Sequence, residues 1–332
     1  MPATRNSAPS PRSARTPAPL PEIRPFRLGD KEVVFSHLDR MFFPEKGYTK
    51  AEVLTYYLEI APYLLPHIKD RPLTLERWPE GVEDGSFFQK DASAYFPEWI
   101  KTFPVERKDH QKIVHYPLVE DAADLLYLVN QGTLTFHTWL SRVGEWDHPD
   151  IMVLDVDPPD DAPEAVGGGA QAEAARPTDA GEAQQTPFRR AAEVAVILRG
   201  QLQAAGFDPV VKTSGKRGLH LAFRLAGHPD YSDARAELAD MFLQAVKKHP
   251  RLLTTEIRKN KRDSRVYLDA LRMAAGATIV PPYVVRPTPT ATVSMPLTWM
   301  ELEKLPDGRE FTIKTAPARV AKLGDLWAAL PG

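Results

Sequence analysis

Hydrophobic and polar positions along this chain follow two periods that alternate from segment to segment. In several segments the apolar residues recur three and four positions apart, which is the spacing of an amphipathic helix. The clearest begins after Thr49, which forms a capping-box pattern with Glu52, and this helix is expected to end by Pro66. Further helices are predicted over residues 120–131, 188–205 and 233–248.

Between these helices, alternating or continuous apolar runs predict strands. They cover residues 72–78, 86–90, 133–137, 151–157, 209–213, 219–225 and 266–269. Strands and helices interleave, and several strands are joined by tight turns. This order favours an α+β, or mixed α/β, fold over a purely parallel sheet.

Composition limits the class of protein. A chain of 332 residues with 43% hydrophobic content can bury one sizeable core or two smaller, closely joined ones. There is no cysteine, so any metal must be held by oxygen or imidazole ligands. No apolar run approaches the roughly 18 residues that cross a bilayer, so no membrane partner is expected and a cytoplasmic location is the default.

Two segments are too poor in large apolar residues to offset the entropy of ordering. Residues 1–22 form a tail rich in Pro, Ser and Arg, and residues 160–187 form an acidic insertion; both are predicted to be disordered. The predicted division is therefore a tail at 1–22, one domain at 23–310 that contains the insertion, and a C-terminal extension at 311–332.

Charge is unevenly distributed. The net charge is −2, but the insertion is strongly acidic and the rest of the chain is correspondingly more basic. Basic residues cluster between Arg251 and Arg265, where they form either a solvated helix face or a surface that follows phosphates.

Two carboxylates end the strand at 151–157. Asp155 and Asp157 are two positions apart, so they project from one face while Val156 turns into the core. Like charges held this close require a cation, and a divalent metal is the usual one. A third carboxylate, Asp269, ends the strand at 266–269, so the inventory fits metal-assisted phosphoryl transfer. The alternative is a pair of turn-forming aspartates before prolines.

The stretch V-K-T-S-G-K-R-G-L-H-L at 211–221 is a second candidate site. Gly215 and Gly218 allow the backbone to approach a phosphate closely, while Ser214 and Arg217 supply a hydroxyl and a cation. The order of residues is not that of a Walker P-loop. An ordinary hairpin turn that binds nothing is the alternative.

Two further features are aromatic. His137 lies in F-H-T-W, where a structural histidine is the alternative to a ligand. Phe87 and Phe88 are adjacent on a predicted strand and cannot both face the core, so one of them is exposed and could stack on a base. Core packing is the alternative for this pair.

Together the ordered motifs resemble the polymerase domain of bacterial ATP-dependent DNA ligase D, in the archaeo-eukaryotic primase superfamily. The resemblance covers about residues 27–300. Its motifs are R-P-L-T-L from Arg71, F-F-Q-K from Phe87, F-H-T-W from Phe136, L-D-V-D-P from Leu154, K-T-S-G-x-x-G-L-H from Lys212, V-Y-L-D from Val266 and V-S-M-P-L-T-W from Val293.

The resemblance implies the archaeo-eukaryotic primase fold, with central antiparallel or mixed sheets flanked by helices and an RRM-like catalytic part. It implies a primase-polymerase that adds nucleotides, preferentially ribonucleotides, to primer 3′ ends at gaps or double-strand breaks during non-homologous end joining. The implied cofactors are two divalent ions, Mn²⁺ or Mg²⁺. The implied partners are NTP or dNTP and 5′-phosphorylated DNA, with Ku and a separate ligase as candidate partners in trans.

The resemblance also implies roles for individual residues. The metal ligands and catalytic residues would be Asp155, Asp157 and Asp269. The incoming nucleotide would be held by His137, Ser214, Arg217, His220, Arg262 and Arg286. The downstream 5′-phosphate would be bound by His37, Arg40 and Lys50, and the template would contact Phe87 and Phe88. His37, Arg40, Arg217 and Met273 depart from the residues usual in the family at these positions.

Two other functions remain as alternatives. A polymerase-β-type nucleotidyltransferase also uses a D-x-D pair, but it normally carries a G-S turn and helix shortly before it, and residues 141–150 have none. A non-catalytic module that binds DNA ends or 5′-phosphates is the other, and the intact carboxylates argue against it.

Overall fold

A computed structural model of the chain describes residues 26–107, 112–158, 186–227, 229–263 and 265–330. The predicted tail at 1–22 lies outside the described residues, as does the predicted insertion apart from its last two positions. In the described part the helices are α1 (Lys50–Ile68), α2 (Ala122–Asn130), α3 (Pro187–Ala204), α4 (Tyr231–Lys248), α5 (Trp299–Lys304) and α6 (Ala316–Leu323). Short 3-10 turns occur at Val143–Glu145, Lys259–Lys261 and Ala270–Arg272.

Two sheets form the centre of the molecule. In the described residues the strands are β1 (Phe26–Leu28), β2 (Lys31–Val33), β3 (Met41–Phe43), β4 (Tyr48–Thr49), β5 (Leu73–Arg77), β6 (Phe87–Gln89), β7 (Thr102–Arg107), β8 (Lys112–Pro117), β9 (Thr133–Trp139), β10 (Ile151–Asp157), β11 (Val210–Thr213), β12 (Leu219–Arg224), β13 (Leu253–Thr254), β14 (Val266–Leu268), β15 (Thr278–Ile279) and β16 (Pro296–Leu297). One sheet has the order β13-β14-β10-β12-β11-β16 and the other β15-β9-β5-β6. The pairs β1-β2, β3-β4 and β7-β8 stand apart.

The six-stranded sheet is antiparallel except for the parallel pair β13-β14. The four-stranded sheet is antiparallel throughout. Helices flank both sheets, so the mixed α+β prediction is confirmed. No helix within the described ranges has the length and apolar character needed to cross a bilayer.

The two faces of β10 have different neighbours. Met152, Leu154 and Val156 are buried on one face, where Leu154 shares a cavity with residues of α3 and α4. Alternation along the strand therefore directs Asp155 and Asp157 to the opposite face. On that face Ile151 and Val153 line a second cavity together with Thr138 and Ile279 of the four-stranded sheet. The carboxylates of Asp155 and Asp157 therefore face the cleft between the two sheets.

The C-terminal residues contribute to both hydrophobic cores. Trp327 and Leu330 pack in the core of the six-stranded sheet, whereas Ala316 and Val320 pack in the core of α1, α2 and the four-stranded sheet. Asp325 lies between these contacts, and the His67 side chain is 2.8 Å from its carboxylate. This segment connects the two cores.

The capping box before α1 is present as predicted, with Thr49 and Glu52 each bonded to the other's backbone amide. The prediction that α1 ends by Pro66 is wrong, because the helix continues to Ile68. Pro62 and Pro66 both lie on its exposed side, while His67 and Ile68 are buried. Water can satisfy the two carbonyls that the missing proline amides leave unpaired, and burial of the last turn stabilises the continued helix.

Candidate active site

Three aspartates lie at the ends of two neighbouring strands. The pairs Val156 with Leu268 and Asp157 with Tyr267 fix the register of β10 against β14. This register sets Asp155 opposite Asp269, the residue that follows β14. The Asp269 carboxylate accepts a hydrogen bond of 2.8 Å from the Leu271 amide and caps the short turn that carries Arg272.

A guanidinium lies between two of these carboxylates. Arg272 Nε is 3.5 Å from Asp155 Oδ2 and 3.5 Å from Asp269 Oδ2, so the two oxygens are separated by no more than twice that distance. In the described part of the chain, no three acidic or histidine side chains converge closely enough to hold a metal ion as they stand. The site attracts a cation, and here the half-exposed side chain of Arg272 supplies it.

Asp157 lies against a glycine of the adjacent strand. A Cβ on Gly218 would be 2.9 Å from Asp157 Oδ1 and 3.0 Å from the Val156 carbonyl oxygen. Contacts this short force a displacement, so the close approach of β10 to β12 at this point requires glycine.

Asp155 belongs to a row of polar side chains that crosses three strands. Register pairs it with His220 on β12, and His220 in turn with Lys212 on β11. His220 Nε2 is 3.4 Å from Asp155 Oδ1, and Lys212 Nζ is 2.8 Å from His220 Nδ1. Burial, followed by the charge of Lys212, lowers the pKa of His220 to about 4, so the imidazole is neutral at neutral pH. Both ring nitrogens of this predicted nucleotide ligand therefore contact protein groups.

The same row of polar side chains also alters the pKa of Asp155. Burial acts to raise the pKa of Asp155, but the hydrogen bond from His220 and the charges of Arg272 and Lys212 outweigh it, and the net pKa lies below the usual value. Asp155 therefore remains ionised.

The turn between β11 and β12 has backbone amides directed inward. The Ser214 hydroxyl accepts hydrogen bonds from the amides of Gly218 at 3.1 Å and Lys216 at 3.2 Å. Gly215 has φ of +72°, and a Cβ there would clash with the Arg286 side chain. Ser214, half-buried Arg217 and buried Arg286 thus lie in or against one tight turn beside Asp157.

His137 lies on β9 of the four-stranded sheet, on the side of the cleft opposite the aspartates. His137 Nε2 is 3.2 Å from Glu76 Oε2, and its ring meets Phe88 edge-on at 5.5 Å between centroids. Burial lowers the pKa of His137, and the hydrogen bond with Glu76 only partly opposes this. The charges of Arg286 and Lys216 lower the pKa of His137 further. The strand of His137 lies beside the β11-β12 turn, because Thr135 donates to the Val285 carbonyl oxygen at 2.8 Å and the next residue, Arg286, packs against Gly215.

Both adjacent phenylalanines are exposed. Phe87 is 47% and Phe88 62% accessible, so the strand turns neither ring into the core. The Arg77 guanidinium lies 5.3 Å from the Phe87 ring and is itself held by the Gln131 carbonyl oxygen at 2.6 Å. Exposed rings fixed in this way can stack on a flat partner.

The predicted 5′-phosphate residues come together where α1 begins. The Arg40 amide bonds the His37 carbonyl oxygen at 3.1 Å, and the Lys50 amide bonds the Arg40 carbonyl oxygen at 2.8 Å. Burial and the charge of Arg40 lower the pKa of Lys50 to about 8. The Arg40 guanidinium is 2.8 Å from a carboxylate oxygen of Glu80, so an incoming phosphate would compete with that carboxylate.

Arg262, the remaining predicted ligand, is anchored within its own loop. It donates to the carbonyl oxygens of Glu256 and Ile257, each at 2.9 Å, and stacks 3.7 Å from the centre of the Tyr267 ring. The Tyr267 hydroxyl is 3.4 Å from Asp269 Oδ1, so Arg262 connects to the acidic site through this ring.

The family model described as the LigD primase-polymerase domain matches residues 49–176 and 179–327. The chain belongs to the LigD primase-polymerase domain family. LigD primase-polymerase domains are nucleotidyltransferases, so the predicted enzyme class is confirmed.

Relatives support this membership. The chain is 31% identical over 291 residues to the bifunctional non-homologous end joining protein LigD of Bacillus subtilis, covering 87% of this chain and 43% of the relative. It is 29% identical over 303 residues to the multifunctional LigD of Mycolicibacterium smegmatis, covering 90% of this chain and 36% of the relative. The chain thus spans less than half the length of these LigD proteins.

A solved structure confirms the predicted archaeo-eukaryotic primase-like fold. The polymerase domain from Mycobacterium tuberculosis ligase D, in complex with DNA, superposes with a TM-score of 0.77 at 26% identity. The match covers 90% of this chain and 98% of that domain.

Sequence reasoning missed three contributors to this LigD-type site: Glu76, the partner of His137; Lys212, the partner of His220; and Arg272 in its place between the acids. Glu76 could have been noticed as the one acid in the strand predicted at 72–78. The burial of Lys212 depends on the sheet register and on the C-terminal segment. The sequence of β11 alone does not indicate that this lysine is buried.

Proposed function

We propose that this protein is a DNA-directed primase-polymerase that adds nucleotides, preferentially ribonucleotides, to primer 3′ ends. Its substrates would be 5′-phosphorylated gaps or ends of broken duplexes in non-homologous end joining. The observation that carries the proposal is the pair of carboxylates, Asp155 and Asp269, gathered around one cation beside the Ser214 turn. Because the chain belongs to the LigD primase-polymerase domain family, we assign polymerisation to this arrangement of residues.

The three aspartates fit a divalent cation. Their donor atoms are all carboxylate oxygens, the ligands that Mn²⁺ and Mg²⁺ prefer, and two of them already approach a common cation. We infer that Asp155, Asp157 and Asp269 hold two such ions. When bound, the ions would neutralise the phosphates and make the primer hydroxyl a better nucleophile.

The remaining residues would bind and orient the nucleotide. Phosphoryl transfer needs in-line positioning and charge stabilisation more than covalent participation by the protein. Arg217, Arg286 and the Ser214 turn would hold the triphosphate, with Arg262 beside Asp269. His137, neutral and donating its Nε2 proton to the Glu76 carboxylate, would accept one hydrogen bond at Nδ1 from the nucleotide. Buried Arg286 would stabilise the leaving pyrophosphate as its charge develops.

Two exposed features would select the DNA. Phe87 and Phe88 offer ring faces for the template base. His37, Arg40 and Lys50 would bind the downstream 5′-phosphate, with Glu80 displaced from Arg40. Because the matched relatives are end-joining proteins, we infer end joining as the setting in which the protein acts, with Ku and a DNA ligase as its candidate partners.

The test is nucleotide addition to a gapped duplex with a recessed 3′ end. We expect addition in Mn²⁺ or Mg²⁺, faster with ribonucleotides than with deoxyribonucleotides, and faster when the downstream strand carries a 5′-phosphate. Asp155→Asn and Asp157→Asn should abolish addition while the protein still shifts the duplex in a gel. Asp240→Asn, the same change at an exposed position of α4, is the matched control and should keep full activity.

Two results would overturn the proposal. Addition retained by either active-site variant in Mn²⁺ would exclude the assigned carboxylates. A wild-type protein that binds the phosphorylated duplex but adds nothing would instead be a non-catalytic end-binding module.

A further inference from the structure

The side chain of Lys212 is fully buried, although a buried ammonium is costly. Within the described residues no carboxylate lies close enough to form an ion pair with it. Its Nζ contacts Ser294 Oγ at 2.5 Å, His220 Nδ1 at 2.8 Å and the Thr213 carbonyl oxygen at 3.4 Å. Burial lowers its pKa well below the usual lysine value. Such a group needs a role that an apolar residue could not fill.

The hydrogen bonds around it have one consistent direction. The Ser294 hydroxyl donates to the Thr213 carbonyl oxygen at 2.9 Å, so its oxygen is the acceptor for Lys212. At the other end, the Asp155 carboxylate can only accept, so His220 Nε2 must carry a proton. A neutral imidazole protonated at Nε2 has a lone pair at Nδ1, and that lone pair faces Lys212. Donation therefore runs from Lys212 through His220 to Asp155.

We propose that Lys212 is a positioning residue that fixes the tautomer and ring orientation of His220 and thereby holds the carboxylate of Asp155. The inference rests on the proposed function, because it treats Asp155 as a metal ligand. Without the ammonium, the proton could move to Nδ1. The Nε2 lone pair would then oppose the carboxylate across 3.4 Å, and Asp155 would lose its fixed direction.

The C-terminal segment completes the arrangement. The Trp327 ring lies 5.5 Å from Lys212 Nζ, and Trp327 Nε1 donates to the Val211 carbonyl oxygen at 3.2 Å. The indole face stabilises the cation and closes one side of its pocket. Lys212 therefore has little room to move away from His220.

Lys212→Met tests the proposal, because methionine fills similar space without a donor. At one fixed pH we expect ¹⁵N NMR to show that His220 loses its uniform Nε2-protonated form. Calorimetry with MnCl₂ alone should show Mn²⁺ affinity reduced by about 10- to 100-fold, the range for loss of a group that orients a metal ligand. The melting temperature should change little, because removal of a buried cation offsets the cost of the His220 Nδ1 acceptor that is left unpaired. A merely structural lysine would give the opposite pattern, with lower stability and unchanged Mn²⁺ affinity.

Lys247→Met, the same change at an exposed position of α4, is the matched control and should leave tautomer and Mn²⁺ affinity unchanged. If Lys212→Met does not fold, Lys212→Leu removes the same donor with a different apolar side chain, and a shifted His220 tautomer supports the proposal. An unchanged tautomer in the folded variant overturns it. Neither readout requires polymerase activity, so a wild-type protein that adds no nucleotides would overturn the proposed function while the positioning role is still decided.

Discussion

Gly218 offers a direct test of how closely the strands must approach at the carboxylates. In Gly218→Ala the new methyl would lie 3.0 Å from the Val156 carbonyl oxygen and 2.9 Å from Asp157 Oδ1. The Val156 backbone cannot make room for the methyl unless β10 moves away from β12, and the Asp157 carboxylate must rotate to avoid it. Overpacking of this kind typically costs about 1–3 kcal/mol.

This cost should lower the melting temperature by a few degrees, because about 1 kcal/mol shifts a chain of this size by roughly 2–4 °C or less. Nucleotide addition should fall further than stability explains, by about 10-fold or more, because Asp157 is displaced from its place beside the other acids. Thermal denaturation and the gapped-duplex assay on the same preparation would measure both.

Gly200→Ala is the matched control. Gly200 lies within α3, and a Cβ there meets nothing within 4 Å. Alanine is the better helix former, so this variant should be as stable as wild type, or more stable by about 0.5–1 kcal/mol, with unchanged activity. A Gly218→Ala protein with wild-type melting and wild-type activity would refute the close-approach argument. Reduced melting with full activity would instead remove Asp157 from the reaction.

Two further predictions concern stability. The Asp325 carboxylate accepts a hydrogen bond from Tyr283 and contacts His67. Burial acts to raise the pKa of Asp325, but these partners lower it overall. The carboxylate therefore stabilises the fold above the ordinary Asp pKa of about 3.9, and this stabilisation is lost as the pH falls through the lower folded value. Urea unfolding from neutral pH to pH 3 should therefore show a loss that is reduced in Asp325→Asn, and identical pH profiles would contradict this. Lys31→Met should destabilise by about 3–5 kcal/mol, because the fully buried carboxylate of Asp124 loses its cation at 2.6 Å. The double variant with Asp124→Leu should recover most of that loss in the same assay, and failure to recover would show that the charge was not the cause.

Local patterns predicted those parts of the fold that local physics decides. The capping box at Thr49 and the glycine after α2 marked helix ends that the structure retains. The predicted start of α4 at Asp233 was late by two residues, because Asp230 caps the helix instead. The β7-β8 hairpin was missed, since Pro104 and its charged residues obscure the alternation of a strand that is mostly exposed.

In the candidate site, too, local patterns predict some features and not others. Spacing alone indicated that Asp155 and Asp157 share a face, because that depends only on the period of a strand. The position of Asp269 opposite Asp155 depends on the register between β10 and β14, which no local pattern encodes. Lys212 occupies an alternating strand position where lysine ordinarily reaches solvent, and only the packing of Trp327 reveals that it is enclosed.

Arg272 gives the acidic site an internal counterion. Since its guanidinium is shared between Asp155 and Asp269, the repulsion between these acids is already balanced when the chain folds. Folding and metal loading then become separate events, in contrast to small domains that remain unfolded until their metal arrives. The ions proposed for this site would enter by exchange with Arg272, so their affinity reflects the difference between two cations rather than the full attraction of bare carboxylates.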